Sequence, residues 1–130
     1  MSKIVIIGAG AMGTAFAVPC ADNNHDTNIV GTHLENDFID GVIKNKRMHP
    51  GLSAYIPEGI NIIKFENFDS TLKSNVELIV LGISSKGIEW VADQLQQIYK
   101  NKQMPNLLML TKGLSIYKNN YELLVDKLER

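Results

Sequence analysis

The chain has 130 residues, enough for one domain with its own core, and its 45% hydrophobic and 21% charged content is that of an ordinary soluble globular protein. A net charge of −1 gives no field to recruit nucleic acid or an acidic membrane surface, and no apolar run is long enough to span a bilayer. The lone cysteine, Cys20, excludes an intrachain disulfide framework and fits a reducing, cytoplasmic setting, and His25, His33 and His49 show no metal-ligand spacing, so no metal is expected.

Ile4-Val5-Ile6-Ile7 reads as a buried first strand, and it runs directly into Gly8-Ala9-Gly10-Ala11-Met12-Gly13. Strand, GxGxxG and helix in that order form a dinucleotide fingerprint. Gly8 permits the tight turn, Gly10 lets a pyrophosphate approach bare backbone, and Gly13 lets the helix pack on the strand. Free N–H groups at the helix start complete an anion site. The competing reading is a glycine-rich turn in an unrelated α/β protein. A secretory reading, with Lys3 as the basic region and Cys20 as a lipid-anchored cysteine, is disfavoured: one basic residue is too few, and three glycines interrupt the apolar run.

Met12 to Asn24 reads as the first helix, with Met12, Ala15, Phe16 and Cys20 on its apolar face, Cys20 a buried inert thiol, and a bend at Pro19. Thr27 to Gly31 is the second strand. Its tip, Thr32-His33, lies where an adenosine ribose would sit, ~20 residues after the first glycine. NAD sites usually hold an acid there. Here Thr32 and His33 offer hydrogen-bond donors and the first acid is Glu35, which leans towards NADP over NAD and leaves both open. Thr32 and Glu35 also have the spacing of a capping box. The second helix, Glu35 to Lys46, carries a stripe of Phe38, Ile39, Val42 and Ile43. Lys44, Lys46 and Arg47 at its end either complement the helix dipole or reach a 2′-phosphate.

Met48 to Gly59 reads as an ordered irregular excursion, Ile60 to Phe65 as a third strand, and Asp69 to Ser74 as a short helix or turn. Val76 to Ile83 is the fourth strand. Ser84 behind it is expected to cap the next helix and to face the cofactor. That helix, Lys86 to Lys100, buries Ile88, Val91, Ala92, Leu95, Ile98 and Tyr99; Trp90 falls off the stripe and reads as a packing or interface residue without a chemical role. Asn106 to Leu110 is the fifth strand, ending at Thr111-Lys112-Gly113, and Asn119 to Arg130 reads as a last helix burying Tyr121, Leu124, Val125 and Leu128. Alternating strands and helices predict a single α/β domain over residues 1–130. It is a Rossmann doubly wound parallel sheet of strand order 3-2-1-4-5, with helices on both faces.

GAGAMGTA at the start, His49-Pro50 followed by Pro57, the fourth strand ending near Ser84, and above all LTKGL over Leu110 to Leu114 resemble NAD(P)-dependent glycerol-3-phosphate dehydrogenase of archaeal type. GxGxxG is shared with many dehydrogenases, whereas Thr-Lys-Gly after the fifth strand is more discriminating. The resemblance implies a cofactor site of Gly8, Ala9, Gly10, Ala11, Met12 and Gly13 on the pyrophosphate and Thr32 and His33 at the adenosine end. Ser84, Lys86 and Lys112 complete it. Lys86 stands where some members place an aromatic residue, and Lys112 matches a lysine that also contacts the phosphorylated triose substrate. From the residues alone, Lys112 reads as a solvated loop cation.

The resemblance covers only the N-terminal cofactor domain of the family. The substrate domain, with a second lysine as general acid/base, is expected to be absent, so no catalytic residue is identified and the chain is expected to be inactive alone. The alternative is a stand-alone dinucleotide-binding or sensing module. Expected partners are the dinucleotide and, once a second domain completes the site, the phosphorylated triose; neither nucleic acid nor membrane is expected, and a homodimer is open.

Overall fold

Ile4 to Ile7 form the middle of a parallel sheet, because a run apolar at every position must be covered on both faces. The computed structural model describes residues 3–44, 47–49, 54–73, 75–83, 87–100, 103–110, 114–117 and 120–123. Along the chain the elements are β1 (Lys3–Ile7), α1 (Ala11–Asp22), β2 (Asp26–Val30), α2 (Asn36–Lys44), β3 (Met48–His49), β4 (Ala54–Tyr55) and β5 (Asn61–Ile63). A 3-10 turn at Phe65–Asn67 leads into α3 (Phe68–Leu72), β6 (Leu78–Leu81), α4 (Ile88–Ile98), β7 (Asn106–Met109), β8 (Leu114–Tyr117) and β9 (Asn120–Leu123).

The main sheet has the order β5-β2-β1-β6-β7, and every pairing in it is parallel. Its outer strand is the fifth in the chain rather than the third. The stretch expected to be irregular contributes two two-residue strands, β3 and β4, which pair with each other away from the sheet. Side chains of β1 alternate between two cores. Ile4 and Ile6 join Ala17, Cys20, Ile29, Ile39 and Val42 under α1 and α2. Val5 and Ile7 join Phe68, Leu72, Val91, Leu95 and Ile98 under α3 and α4. Tyr99 closes the second core, its hydroxyl donating to Leu72 O at 2.7 Å. No described helix is long and apolar enough to cross a membrane.

Three expectations are corrected. The buried face of α1 is Gly13, Thr14, Ala17 and Cys20, while Met12 is 55% exposed and Ala15 faces solvent. The helix is apolar nearly all round, so periodicity could not choose its face; the tight contact of Gly13 with Gly8 and Gly82 does. On α2, only Ile39 and Val42 of the expected stripe are buried, with Ile43 half exposed. The last helix is not seen where it was expected to begin. Asn120–Leu123 is instead a strand, antiparallel to Leu114–Tyr117 with Tyr117 opposite Asn120. The alternation in Leu114-Ser115-Ile116 suits a strand. The rest of the expected helix lies outside the described residues.

Candidate functional site

The carboxyl ends of β2, β1 and β6 open together into a cleft, where the ladders end in Gly31 N to Ile63 O, Gly8 N to Val30 O and Gly82 N to Ile7 O. The cleft has a volume of about 640 Å³, within the range of small-molecule sites. Gly10 forms its floor, Thr32, His33, Leu34 and Glu35 one wall, and Gly82, Ile83, Gly87 and Trp90 the other. These come from three separate loops, which the sheet order brings to one edge.

The glycine loop is shaped by contacts between backbones. Gly8 has φ +107°, and a β-carbon there would lie 2.6 Å from Gly82 O. One at Gly82 would lie 3.0 Å from Gly13 Cα, so helix and strand meet backbone to backbone. Gly10 differs: a β-carbon there would meet only Gly82 O, at 3.9 Å. The protein itself does not need a glycine at that position. A ligand lying on the backbone would. Gly10 is the cap residue of α1, no side chain caps the helix among the described residues, and its first turn holds no acid. The N–H groups of Ala11, Met12 and Gly13 start a helix and have no intrahelical partner, which suits an anion.

Ala9 is tied on both sides. Its N–H faces both oxygens of the Glu35 carboxylate, at 3.2 and 3.1 Å. Its carbonyl accepts from Nε2 of His49 at 2.7 Å, and at longer range from Oγ1 of Thr14. His49 is 2% exposed, and Phe38 lies edge-on to it. Glu35 Oε1 also accepts from Thr32 N at 2.9 Å, and Thr32 Oγ1 accepts from Leu34 N at 3.4 Å, which gives the reciprocal half of the expected capping box. The backbone of the glycine loop is therefore set by residues 26 and 40 positions away. His49→Leu comes close to the volume and removes the donor. It should cost about 1–3 kcal/mol, read as a lower thermal midpoint, and should weaken dinucleotide affinity together with stability.

The sequence model of the family described as NAD-dependent glycerol-3-phosphate dehydrogenase N-terminus matches residues 3–130. The chain belongs to that family. It is 30% identical over 117 residues to an NADP(+)-dependent glycerol-3-phosphate dehydrogenase of Archaeoglobus fulgidus, covering 90% of this chain and 33% of that protein. A glycerol-3-phosphate dehydrogenase [NAD(P)+] of Bacillus cytotoxicus is 33% identical over 99 residues, covering 75% of this chain and 28% of that protein. The chain thus spans a third or less of the relatives it matches. A crystal structure of glycerol-3-phosphate dehydrogenase from Coxiella burnetii superimposes with a TM-score of 0.71 at 20% identity, over 88% of this chain and 33% of that one, and supports the fold.

The chain corresponds to the N-terminal, nicotinamide dinucleotide-binding domain of that family, and the cleft brings together Gly10, Thr32 and His33 of the sequence-predicted residues. Gly8, Ala9 and Gly13 support the loop from behind, and Met12 stands exposed at the helix start. Ser84, Lys86 and Lys112 lie outside the described residues; α4 begins at Ile88 with Gly87 in its cap position. Cys20 is buried, and burial pushes its thiol up, away from the reactive thiolate. Sequence reasoning missed three residues. In the sequence Glu35 fits a helix cap, His49 a loop motif and Trp90 a packing or interface residue, yet Trp90 lines the cleft and stands 4.6 Å from the His33 ring, centroid to centroid.

Proposed function

We propose that this chain is the cofactor half of a glycerol-3-phosphate dehydrogenase, in which hydride passes between a nicotinamide dinucleotide and dihydroxyacetone phosphate or glycerol 3-phosphate. The observation that carries the reading is Gly10. It is open to the cleft, uncrowded by protein, and set at the start of a helix whose first turn carries no acidic residue. The cofactor supplies the hydride chemistry; the chain's own residues bind and orient it.

The lean towards NADP rested on an acid-free tip. The Glu35 carboxylate folds back to that tip and lines the cleft, which favours an unphosphorylated ribose, whose hydroxyls it can accept from, over a 2′-phosphate, which it repels. NAD is therefore the proposed cofactor, with NADP as the weaker ligand. Lys112 is proposed to meet the substrate phosphate, and the general acid/base is proposed to come from a second domain. A cytoplasmic setting completes the proposal. Contact through the β7 edge, with a second domain or a second copy, does so too: Leu107 and Leu108 are 39% and 38% exposed there.

Titration of the 130-residue chain with NADH and NADPH, followed by nicotinamide emission, should give saturable binding that is tighter for NADH. Equal or tighter binding of NADPH would remove the role given to Glu35. Addition of dihydroxyacetone phosphate to the NADH complex should give no steady-state turnover. Turnover would show that the acid/base group lies within these residues after all.

A further inference from the structure

We infer that Trp90 is the platform on which the adenine ring stacks, on the face of the indole that His33 now covers. The inference rests on the dinucleotide reading above and adds to it a residue that carries the base.

Trp90 sits in the first turn of α4, half-buried, on the cleft side. Phe65 and Phe68 hold its ring, with centroids at 5.8 and 5.7 Å; Phe68 is 1% exposed and anchors the group in the core below the sheet. A third ring, that of His33, reaches Trp90 from across the cleft at 4.6 Å, tilted by 37°. His33 belongs to the loop after β2 and is exposed, so it lies over the indole without being anchored in the core. The surface it covers accepts a flat heteroaromatic ring. An imidazole is one of the two fused rings of a purine.

One cleft holds Gly10 at the start of α1, Thr32 and Glu35 after β2, and the His33–Trp90 ring pair. A ligand with its anion beside Gly10 would set a ribose beside Thr32 and Glu35 and its next group against His33 and Trp90. In the adenosine half of a dinucleotide that order is phosphate, ribose, base. The other half runs towards Gly82 and Ile83 at the end of β6. Stacking accepts any base, so the platform supplies affinity, and selection between NAD and NADP is left to the ribose wall.

Trp90 is the only tryptophan in the chain, so indole emission reports on this ring alone. AMP should quench it saturably, NADH should quench it too, and nicotinamide mononucleotide should leave it unchanged. By calorimetry, Trp90→Leu should bind AMP and NADH about tenfold more weakly than the wild-type chain, whereas Trp90→Phe should stay within about threefold of it. Nuclear Overhauser contacts between adenine H2 or H8 and the indole protons of the wild-type chain give the same answer even if Trp90→Leu does not fold. Wild-type affinity in a folded Trp90→Leu, quenching by the mononucleotide but not by AMP, or absence of the adenine–indole contacts in a saturated complex would each overturn the inference while leaving dinucleotide binding intact. No binding of NADH or NADPH to the wild-type chain by calorimetry would overturn it together with its premise.

Discussion

Gly10→Val should weaken dinucleotide binding by more than about a hundredfold, roughly 2.7 kcal/mol, while the fold stands. The backbone at Gly10 has φ −69° and ψ 172°, extended geometry that valine adopts without strain. A β-carbon there meets nothing closer than Gly82 O at 3.9 Å. The cost to the free protein is that of a poorer helix cap, about 1 kcal/mol. The cost to the complex is steric, since the isopropyl group would stand between the ligand phosphates and the first N–H groups of α1. An NADH titration beside a circular dichroism melt separates the two. Unchanged affinity would mean that the glycine only makes a turn.

Gly8→Ala should show the reverse balance, with a loss of stability of about 3–5 kcal/mol that precedes any question of binding. With φ +107°, an alanine is strained before its surroundings are considered. Its methyl would also lie 2.6 Å from Gly82 O and 3.0 Å from both Gly82 C and Ile83 Cγ2. The nearer atom is backbone directly after β6, the strand that pairs with β1, so relief means parting the two central strands or lifting α1 from the sheet. Urea unfolding should show the midpoint falling sharply. A midpoint within about 1 kcal/mol of wild type would show that the loop can relax and that the Gly8–Gly82 contact is not what closes the fold.

These two glycines show how far the sequence could be read. Runs such as Ile4 to Ile7 and Leu78 to Leu81 declare buried parallel strands, because no other element needs apolar side chains at every position over so short a length. The glycine spacing gives the turn and the anion site, and Thr32 with Glu35 gives a helix start. Each is a local rule acting within a few residues. What was missed depends on neighbours that only the fold provides. His49 meets Ala9 across 40 residues, and Glu35 reaches the same residue across 26. Trp90 sits off its helix stripe, and the stripe cannot say that α4 turns that flank towards the loop after β2. The buried face of α1 is not legible in its sequence because Met12, Phe16, Ala17 and Val18 offer an apolar residue in nearly every direction, and a backbone contact makes the choice.

The double tie on Ala9 has a consequence for solvent exchange. An amide already bonded to a carboxylate, in a loop whose carbonyl is held by a buried imidazole, exchanges its hydrogen slowly before any ligand arrives. Ala9 is thus a silent position in a deuterium-uptake experiment. Ala11, Met12 and Gly13, one turn further on, start a helix with their N–H groups uncommitted. Deuterium uptake that slows at these three amides while Ala9 stays constant would mark where the ligand touches the loop, and would show that the loop was formed before the ligand came.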